Sequence, residues 1–316
     1  MAVREPAKVI RSWTTDTRRW SVYRPRPGDI IVATPAKCGT TWTIQIANLL
    51  VEQSPEPKPI WALSPWLDVR DHPIEEVLQT LEGQTRRRVI KTHTPSDAMP
   101  LHDAVRYIHV AREGLDAFMS WHNHVATYTP QVLALMDRVG LGDETIARPY
   151  PRVPPDIRAF FRAWMTEGEE ARLADDMPAA RYFDVVGSFW ADRRRSNVLL
   201  VHYNDLKADL DAEMRRISAF LDIPVDEALW PKLVAAARFE TMRANGAALM
   251  PRGGAIWEGG HEAFFKAGRN ARWQGVLTES DVAAYEDRLR REVPPALAAW
   301  LKGGRHGAGE PRLTED

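Results

Sequence analysis

The chain has 316 residues, and its 42 lysines and arginines nearly balance its 43 aspartates and glutamates. This balance argues against a nucleic-acid partner or a membrane-surface field, and the one cysteine, Cys38, excludes an internal disulfide framework and a cysteine-rich zinc site. No apolar run approaches the roughly 18–20 residues of a transmembrane helix, and the first residues lack the apolar core of a signal peptide. We therefore expect a cytoplasmic protein without membrane insertion.

The first half of the chain alternates short apolar runs with helical patterns. Residues 1–27 are polar and rich in arginine and proline, which predicts a lead-in segment. The β-branched run at 30–32 predicts a strand, and an amphipathic helix follows to about residue 52. After a proline-bearing loop at 53–72, the pattern predicts a short helix at 73–81, strands at 88–93 and 105–110, and a helix at 115–124.

The second half begins with a proline-rich stretch at 126–155, for which we expect irregular structure. Helical patterns cover 156–173 and 183–194. The apolar run at 198–203 predicts a central strand, because strands buried on both faces are apolar throughout. An amphipathic helix at 205–221, helices near 226–244, a glycine-rich loop at 245–275 and a helical segment at 278–301 follow. We expect the tail from residue 303 to fray.

This alternation predicts an α/β fold, in which a central parallel sheet is flanked by helices. No internal repeat or domain boundary is evident, so we expect a single domain over 1–316. Ligands of such sheets bind beyond the carboxyl ends of the strands, so polar residues directly after strands are candidate site residues.

The loop after the first strand carries such residues, in the order lysine, glycine, threonine, threonine. A helix N-terminus presents free N–H groups and the positive end of its dipole, and Lys37 adds a cation, which favours phosphate binding. The lysine precedes Gly39, so the loop is a relative of the P-loop rather than a Walker A sequence. Taken alone, this pattern also fits an ordinary strand-to-helix turn.

Three further segments carry polar groups that suit anion chemistry. Lys91 and His93 end the second strand on one face, and histidine is well suited to take a proton from a hydroxyl. Arg112 follows the third strand, and Ser120 lies eight residues later. Residues 264–273 interleave cations with glycine and aromatics, as in an anion clamp or lid. Singly, these segments equally fit a structural histidine, an arginine that caps carbonyls and a solvated charge run.

Together these segments resemble the cytosolic-type, PAPS-dependent sulfotransferases, where PAPS is 3′-phosphoadenosine 5′-phosphosulfate. Residues 35–42 are similar to the family's 5′-phosphosulfate loop, PKSGTTW, and 91–93 match its KTH. Residues 107–120 resemble its 3′-phosphate motif, and 265–273 its RKGxxGDW clamp. Residues 198–207, with Tyr203, and 239–242 resemble adenine-side segments. The motifs follow family order from about residue 26 to 280, and the chain looks like a bacterial member.

The resemblance implies a P-loop-like nucleotide-binding fold, PAPS as donor and adenosine 3′,5′-bisphosphate (PAP) as product. It implies catalytic roles for His93, Lys37 and Lys91, an acceptor pocket built from 126–190 and a PAPS-covering loop at 245–275. No metal is implied. The residues that it implies for the nucleotide are Lys37, Cys38, Gly39, Thr40, Thr41, Trp42, Arg112, Ser120, Tyr203, Phe239, Met242, Phe265, Lys266, Ala267 and Gly268.

The chain departs from the family pattern at several positions. Cys38 replaces the usual serine and removes a hydroxyl. Ala267 removes one cation from the clamp, and Arg272 stands where an aspartate is common. The family's C-terminal dimer motif, KxxFTVxxxE, is not evident after Trp273, so the sequence leaves the oligomeric state open.

The expected reaction is sulfuryl transfer from PAPS to a hydroxyl of a small acceptor. Two other functions stay open from the residues: a small-molecule kinase, which would need Mg²⁺ and an acidic ligand for it, and a nucleotide-binding module without turnover. Aromatic residues suggest a hydrophobic acceptor such as a phenol, an alcohol or a glycolipid, although each one also fits an ordinary core or loop anchor. The candidate pocket residues are Trp61, Trp66, Trp121, Tyr128, Phe160, Phe161 and Trp164.

Overall fold

In the computed structural model, which describes residues 3–167, 181–266 and 268–316, four parallel strands form one sheet in the order β2–β1–β3–β4. The strands are β1 (Ile30–Ala33), β2 (Val89–Thr92), β3 (Arg106–Ala111) and β4 (Val198–His202). Ile31 pairs with Ile90 and Tyr107, and Tyr107 pairs with Val198. All carboxyl ends therefore meet at one edge of the sheet.

Helices pack on both faces of this sheet. Within the described ranges they are α1 (Thr40–Glu52), α2 (Ile60–Leu63), α3 (Ile74–Glu82), α4 (Gly114–Ala126), α5 (Pro130–Leu141), α6 (Ile157–Glu167), α7 (Tyr182–Ala191), α8 (Tyr203–Ala208), α9 (Leu210–Leu221), α10 (Trp230–Ala237), α11 (Phe239–Ala244), α12 (Gly246–Leu249), α13 (Gly260–Phe264), α14 (Glu279–Glu292) and α15 (Pro295–Ala308). Where the structure describes the chain, no helix is long and apolar enough to cross a bilayer.

Two apolar layers sandwich the sheet, because successive side chains of a strand point to opposite faces. Ile31 and Ala33 of β1 join the layer that contains α4, α7, α14 and α15. Ile30 and Val32 join the layer that contains α1, α9 and α10. The predicted parallel sheet flanked by helices is thus confirmed.

The predicted central position of the 198–203 strand is wrong, since β4 lies at the edge of the sheet. Helix α15 covers this edge: the Nε2–H of His202 donates to the Leu301 carbonyl at 3.0 Å, and the ring of Trp300 contacts His202. The strand is apolar before His202 because both of its faces are buried: Val198 and Leu200 lie in one apolar layer, and Leu199 and Val201 lie in the other.

Several predicted boundaries also change. Helix α5 lies in the stretch expected to be irregular, and the helix predicted at 205–221 divides at Asp209, whose side chain caps α9. Short helices α12 and α13 lie in the expected 245–275 loop. Pro294 separates α14 from α15. The helix predicted at 156–173 is described only to residue 167.

The tail beyond residue 303 is ordered rather than frayed. Helix α15 kinks at Gly304, where φ is +65°, and helical structure then continues to Ala308; a 3₁₀ turn at Pro311–Leu313 follows. The guanidinium of Arg193 donates to the carbonyls of Pro311 and Thr314, and the indole N–H of Trp190 donates to Asp316 at 2.7 Å. These tertiary hydrogen bonds hold a segment that has little helical pattern of its own.

Candidate active site

A cavity of about 940 Å³ lies at the carboxyl edge of the sheet. Residues that follow all four strands line it: Lys37 after β1, His93 after β2, Arg112 after β3 and Tyr203 after β4. Parallel strands bring these segments together although they are far apart in sequence. The cavity is therefore where the separate sequence motifs meet.

The β1–α1 loop presents an uncapped helix N-terminus to this cavity. Gly39 is the N-cap of α1 and has a φ of +116°, and no side chain caps the first turn. Lys37 has a φ of +65°, which is rare for a residue with a Cβ and typical of functional loops. The free N–H groups expected of a helix N-terminus and the cation of Lys37 therefore border the same cavity, as an anion site requires. Cys38 is buried in the apolar core and does not line the cavity.

His93 is held as a neutral imidazole with one basic nitrogen. Its Nδ1–H donates to the Thr34 carbonyl at 2.8 Å, which leaves Nε2 as the unprotonated acceptor. Burial, together with the nearby charges of Lys91 and Lys37, lowers the pKa of His93 to about 3. The ring meets Trp66 edge-on with centroids 4.9 Å apart.

Two lysines place positive charge beside this imidazole. Burial and the charges of Lys91 and Arg112 lower the pKa of Lys37 to about 7. Burial lowers the pKa of Lys91 to about 8, and its Nζ lies 4.1 Å from the centroid of the Trp66 ring. An anionic ligand would stabilise the charged form of both lysines.

A second histidine, His124, was missed in the sequence. Its Nδ1 accepts a hydrogen bond from the Lys37 ammonium at 3.3 Å, and rings of Trp121, Tyr128 and Trp257 surround it. Burial and the charges of Lys37 and Lys91 lower its pKa well below the usual value. The spacing from Ser120 could have identified His124 as a site residue, because a residue four positions after Ser120 lies on the same face of a helix.

Arg112 connects the start of α4 with the loop at 265–273. Its guanidinium lies 4.2 Å from the Tyr203 ring centroid and donates to Asn270 Oδ1 at 2.7 Å. One turn later, Asp116 Oδ1 accepts the N–H of Ala271 at 2.6 Å. Four of the residues implied for the nucleotide by the 107–120 and 265–273 motifs line the cavity: Arg112, Ser120, Lys266 and Gly268. Ala267 lies outside the described residues.

Aromatic side chains among the residues implied for the nucleotide also line the cavity. Trp42 and Tyr203 meet edge-on at 5.5 Å, and the Trp42 indole donates to the Ala237 carbonyl at 2.8 Å. Phe239 meets Phe265 edge-on at 6.1 Å. Thr40, Thr41 and Met242 line the cavity as well.

The candidate acceptor residues divide into two groups. Trp61, Trp66, Trp121 and Tyr128 line the cavity. Phe160 and Trp164 do not: their rings pack 5.8 and 5.6 Å from that of Phe118 in the core between α4 and α6. Phe161 also lies in this core. The apolar face of α6 packs against α4. These three residues were expected to line the acceptor pocket, but they form part of this packing instead.

Comparisons with known proteins agree with one another. A sequence model of the family described as "Sulfotransferase domain" matches residues 27–297. The chain is 35% identical over 318 residues to a glycolipid sulfotransferase of Mycobacterium bovis and 34% identical over 317 residues to one of Mycobacterium tuberculosis, and each alignment covers 95% of both chains. A crystal structure of mouse sulfotransferase SULT7A1 complexed with PAP matches with a TM-score of 0.62 at 19% identity, over 87% of this chain and 88% of that one. The structural match shows a shared fold.

Proposed function

The chain belongs to the sulfotransferase family, and we propose that it transfers a sulfuryl group from PAPS to a hydroxyl of a small, hydrophobic acceptor. The observation that carries the proposal is the position of His93: its basic Nε2 belongs to an imidazole with two lysines beside it, in the cavity that the anion-binding loop also lines. This arrangement suits removal of a proton from a hydroxyl next to a highly anionic donor.

His93 acts as the base in this proposal. Its Nε2 takes the proton of the acceptor hydroxyl while the acceptor oxygen forms a bond to sulfur. The bond from sulfur to the 5′-phosphate oxygen breaks, and that phosphate leaves with its electron pair as part of PAP. Negative charge on the bound PAPS raises the low pKa of His93 toward neutral pH, where the imidazole is a more effective base.

The cavity cations stabilise the charge that moves. Lys37 and the uncapped N–H groups of α1 stabilise the leaving phosphate oxygen, and Lys91 supports the transferring sulfonate. Preorganised donors of this kind each contribute roughly 3–4 kcal/mol to transition-state stabilisation. Arg112, whose Nε is buried without a hydrogen-bond partner among the described residues, suits a 3′-phosphate.

The acceptor is proposed to be apolar or to carry an apolar part. Trp66 lines the cavity beside His93, and Trp121 and Tyr128 line it beside His124, so aromatic walls favour such groups. Among phenols, alcohols and glycolipids, the relatives named glycolipid sulfotransferase favour a glycolipid.

The test is transfer of labelled sulfate from PAPS to a panel of phenols, hydrophobic alcohols and glycolipids. Wild-type enzyme should label at least one class, and His93→Ala should lose turnover while its affinity for PAP stays near that of wild type. His306→Ala is the control, since this exposed histidine does not line the cavity. Full activity of His93→Ala would show that His93 is not the base.

Thermal-shift measurements test the two alternative functions. Stabilisation by ATP–Mg²⁺ but not by PAP would indicate a kinase, and PAP binding without turnover would indicate an inactive module.

A further inference from the structure

Behind the Lys91 and His93 pair lies a carboxylate that the proposed mechanism does not use. Asp68 is fully buried and accepts four hydrogen bonds. Trp66 Nε1–H donates to Oδ1 at 2.6 Å, while Trp20 Nε1–H, Thr92 Oγ1–H and Thr94 Oγ1–H donate to Oδ2 at 2.9, 2.7 and 2.5 Å. Burial raises the pKa of Asp68, and these four donors oppose that shift because they stabilise the ionised carboxylate, which can only accept.

Trp66 connects this carboxylate to the predicted transfer residues. Its indole N–H is held by Asp68, while its ring lies under the Lys91 ammonium and meets the edge of His93. The flanking backbone is paired as well, since Lys91 N–H donates to the Pro65 carbonyl at 3.0 Å. One hydrogen bond therefore sets the orientation of a ring that contacts both functional side chains.

The threonines act from the other side of the strand. Thr92 and Thr94 alternate with Lys91 and His93, so the threonines face the carboxylate while the lysine and histidine line the cavity. Asp68 thus restrains the same short segment through its backbone and through the ring that covers it.

We propose that Asp68 is a positioning residue for sulfuryl transfer, which holds Trp66 and residues 91–94 so that Lys91 and His93 keep their working geometry, and which supplies a buried counter-charge to Lys91. This proposal rests on the roles assigned to Lys91 and His93 in the proposed function. Asp68 acts through Trp66 and does not line the cavity.

The counter-charge has a pH signature that a structural role would lack. The charged or titratable groups around Lys91 are the carboxylates of Asp71 and Asp68, the imidazoles of His93 and His124 and the ammonium of Lys37. Burial lowers the pKa of Lys91, and the two carboxylates oppose this effect. Loss of the Asp68 charge lowers that pKa further, so the cation is lost at lower pH and the alkaline limb of kcat moves down in pH.

The experiment compares three variants of the full chain. Trp66→Phe and Trp20→Phe each remove one indole N–H bond to the same carboxylate, but only Trp66 contacts Lys91 and His93. Asp68→Asn keeps the shape and removes the charge. We expect Trp66→Phe and Asp68→Asn to lower kcat at saturating acceptor by roughly 10- to 100-fold through misplacement of reacting groups. KM for PAPS and affinity for PAP should stay near wild type, and the alkaline limb should move in Asp68→Asn alone.

The Trp20→Phe control separates an effect on the position of the transfer residues from a general loss of stability. Trp20→Phe should lower the unfolding temperature yet keep kcat within about twofold, because it touches neither transfer residue. Equal loss of kcat in Trp20→Phe and Trp66→Phe, or an unchanged kcat and limb in folded Asp68→Asn, would overturn the proposal. Should Asp68→Asn not fold, the two tryptophan variants still decide it.

A readout without turnover separates this proposal from the proposed function. NMR titration of ¹³C-lysine-labelled protein reports the pKa of Lys91 directly. A lower value in Asp68→Asn, with no change in Trp20→Phe, supports the counter-charge even if wild type transfers no sulfate. An unchanged value would overturn it whatever the activity.

Discussion

At the scale of single residues, the site depends on side chains whose charge is set by burial. Lys37 is the clearest case: it lies near Lys91 and Arg112, and its pKa is lowered to about 7. His124 accepts a hydrogen bond from its ammonium, and the ring of Phe264 lies 4.0 Å from its Nζ. Lys37 is thus only partly charged at neutral pH, and the negative charge of bound PAPS would raise its pKa and favour the ammonium form.

This charge state predicts the pH dependence of donor capture. Lys37 is cationic below about pH 7 and neutral above it, so kcat/KM for PAPS, which reports the free enzyme, should fall as pH rises through about 7. In the donor complex the phosphates raise the pKa of Lys37, so the limb near pH 7 should be absent from kcat, whose alkaline limb at higher pH is the one assigned to Lys91. Profiles of both constants check this, and coincident limbs would contradict it.

Removing the same ammonium should slow the chemical step strongly. Lys37→Ala should lower kcat by about 100- to 1000-fold, as expected for loss of one preorganised donor. Lys58→Ala is the matched control, because its ammonium pairs with Glu52 at a half-exposed position. Single-turnover measurement of sulfate transfer gives the rate, and an unchanged rate would mean that the loop does not hold the leaving phosphate.

At the scale of elements, residues 268–273 are docked on α4, and Gly268 contacts an aromatic ring. Arg112 and Asp116 hold them through Asn270 and the N–H of Ala271. Gly268 has a φ of +58°, and a Cβ there would lie 3.0 Å from three atoms of the Phe239 ring. The backbone at Gly268 therefore lies against the Phe239 ring, which is predicted to flank the adenine, and a larger side chain there would displace that ring.

Gly268→Ala should weaken nucleotide binding by displacing Phe239. We expect Kd for PAP to rise about tenfold, since a base–aromatic stack contributes ~1–3 kcal/mol. Gly275→Ala is the control: its φ of +74° carries a similar backbone cost, but nothing lies within 4 Å of its Cβ position. Isothermal titration with PAP measures both variants, and equal losses would assign the effect to backbone strain alone.

At the scale of the whole molecule, a buried ion pair lies at the amino ends of the strands, and the cavity lies at their carboxyl ends. Asp29 and Arg88 directly precede β1 and β2, and both are buried. The Arg88 guanidinium donates to both carboxylate oxygens of Asp29, which also accepts from the Tyr23 hydroxyl at 2.7 Å. This cluster ties the lead-in segment to the amino ends of the strands, away from the cavity.

Breaking this pair should destabilise the fold without changing the site. Arg88→Met leaves the Asp29 carboxylate buried without its cation, which costs ~3–5 kcal/mol of unfolding free energy. Arg86→Met removes an exposed ion pair with Glu52 and should cost less than ~1 kcal/mol. Urea denaturation measures both changes. A similar small cost in both variants would show that the buried pair contributes little.

The sequence by itself determined the class of fold and most of the residues around the cavity. Strand runs, helix periodicity and the order Lys37, Gly39 and the paired threonines are local patterns, and the local backbone follows them. Parallel strands end at one edge, so Lys37, Lys91, His93 and Arg112 could be placed together before any contact was known. Their proposed roles remain predictions for the experiments above.

Only the tertiary structure decided which face each element buries and against what. It placed β4 at the sheet edge under α15, packed Phe160 and Trp164 against α4, and buried Cys38 in the core. It also brought His124 to Lys37 and Asp68 to Trp66. Such contacts join segments that are distant in the chain, and they depend on how whole faces pack, which no local pattern of residues specifies.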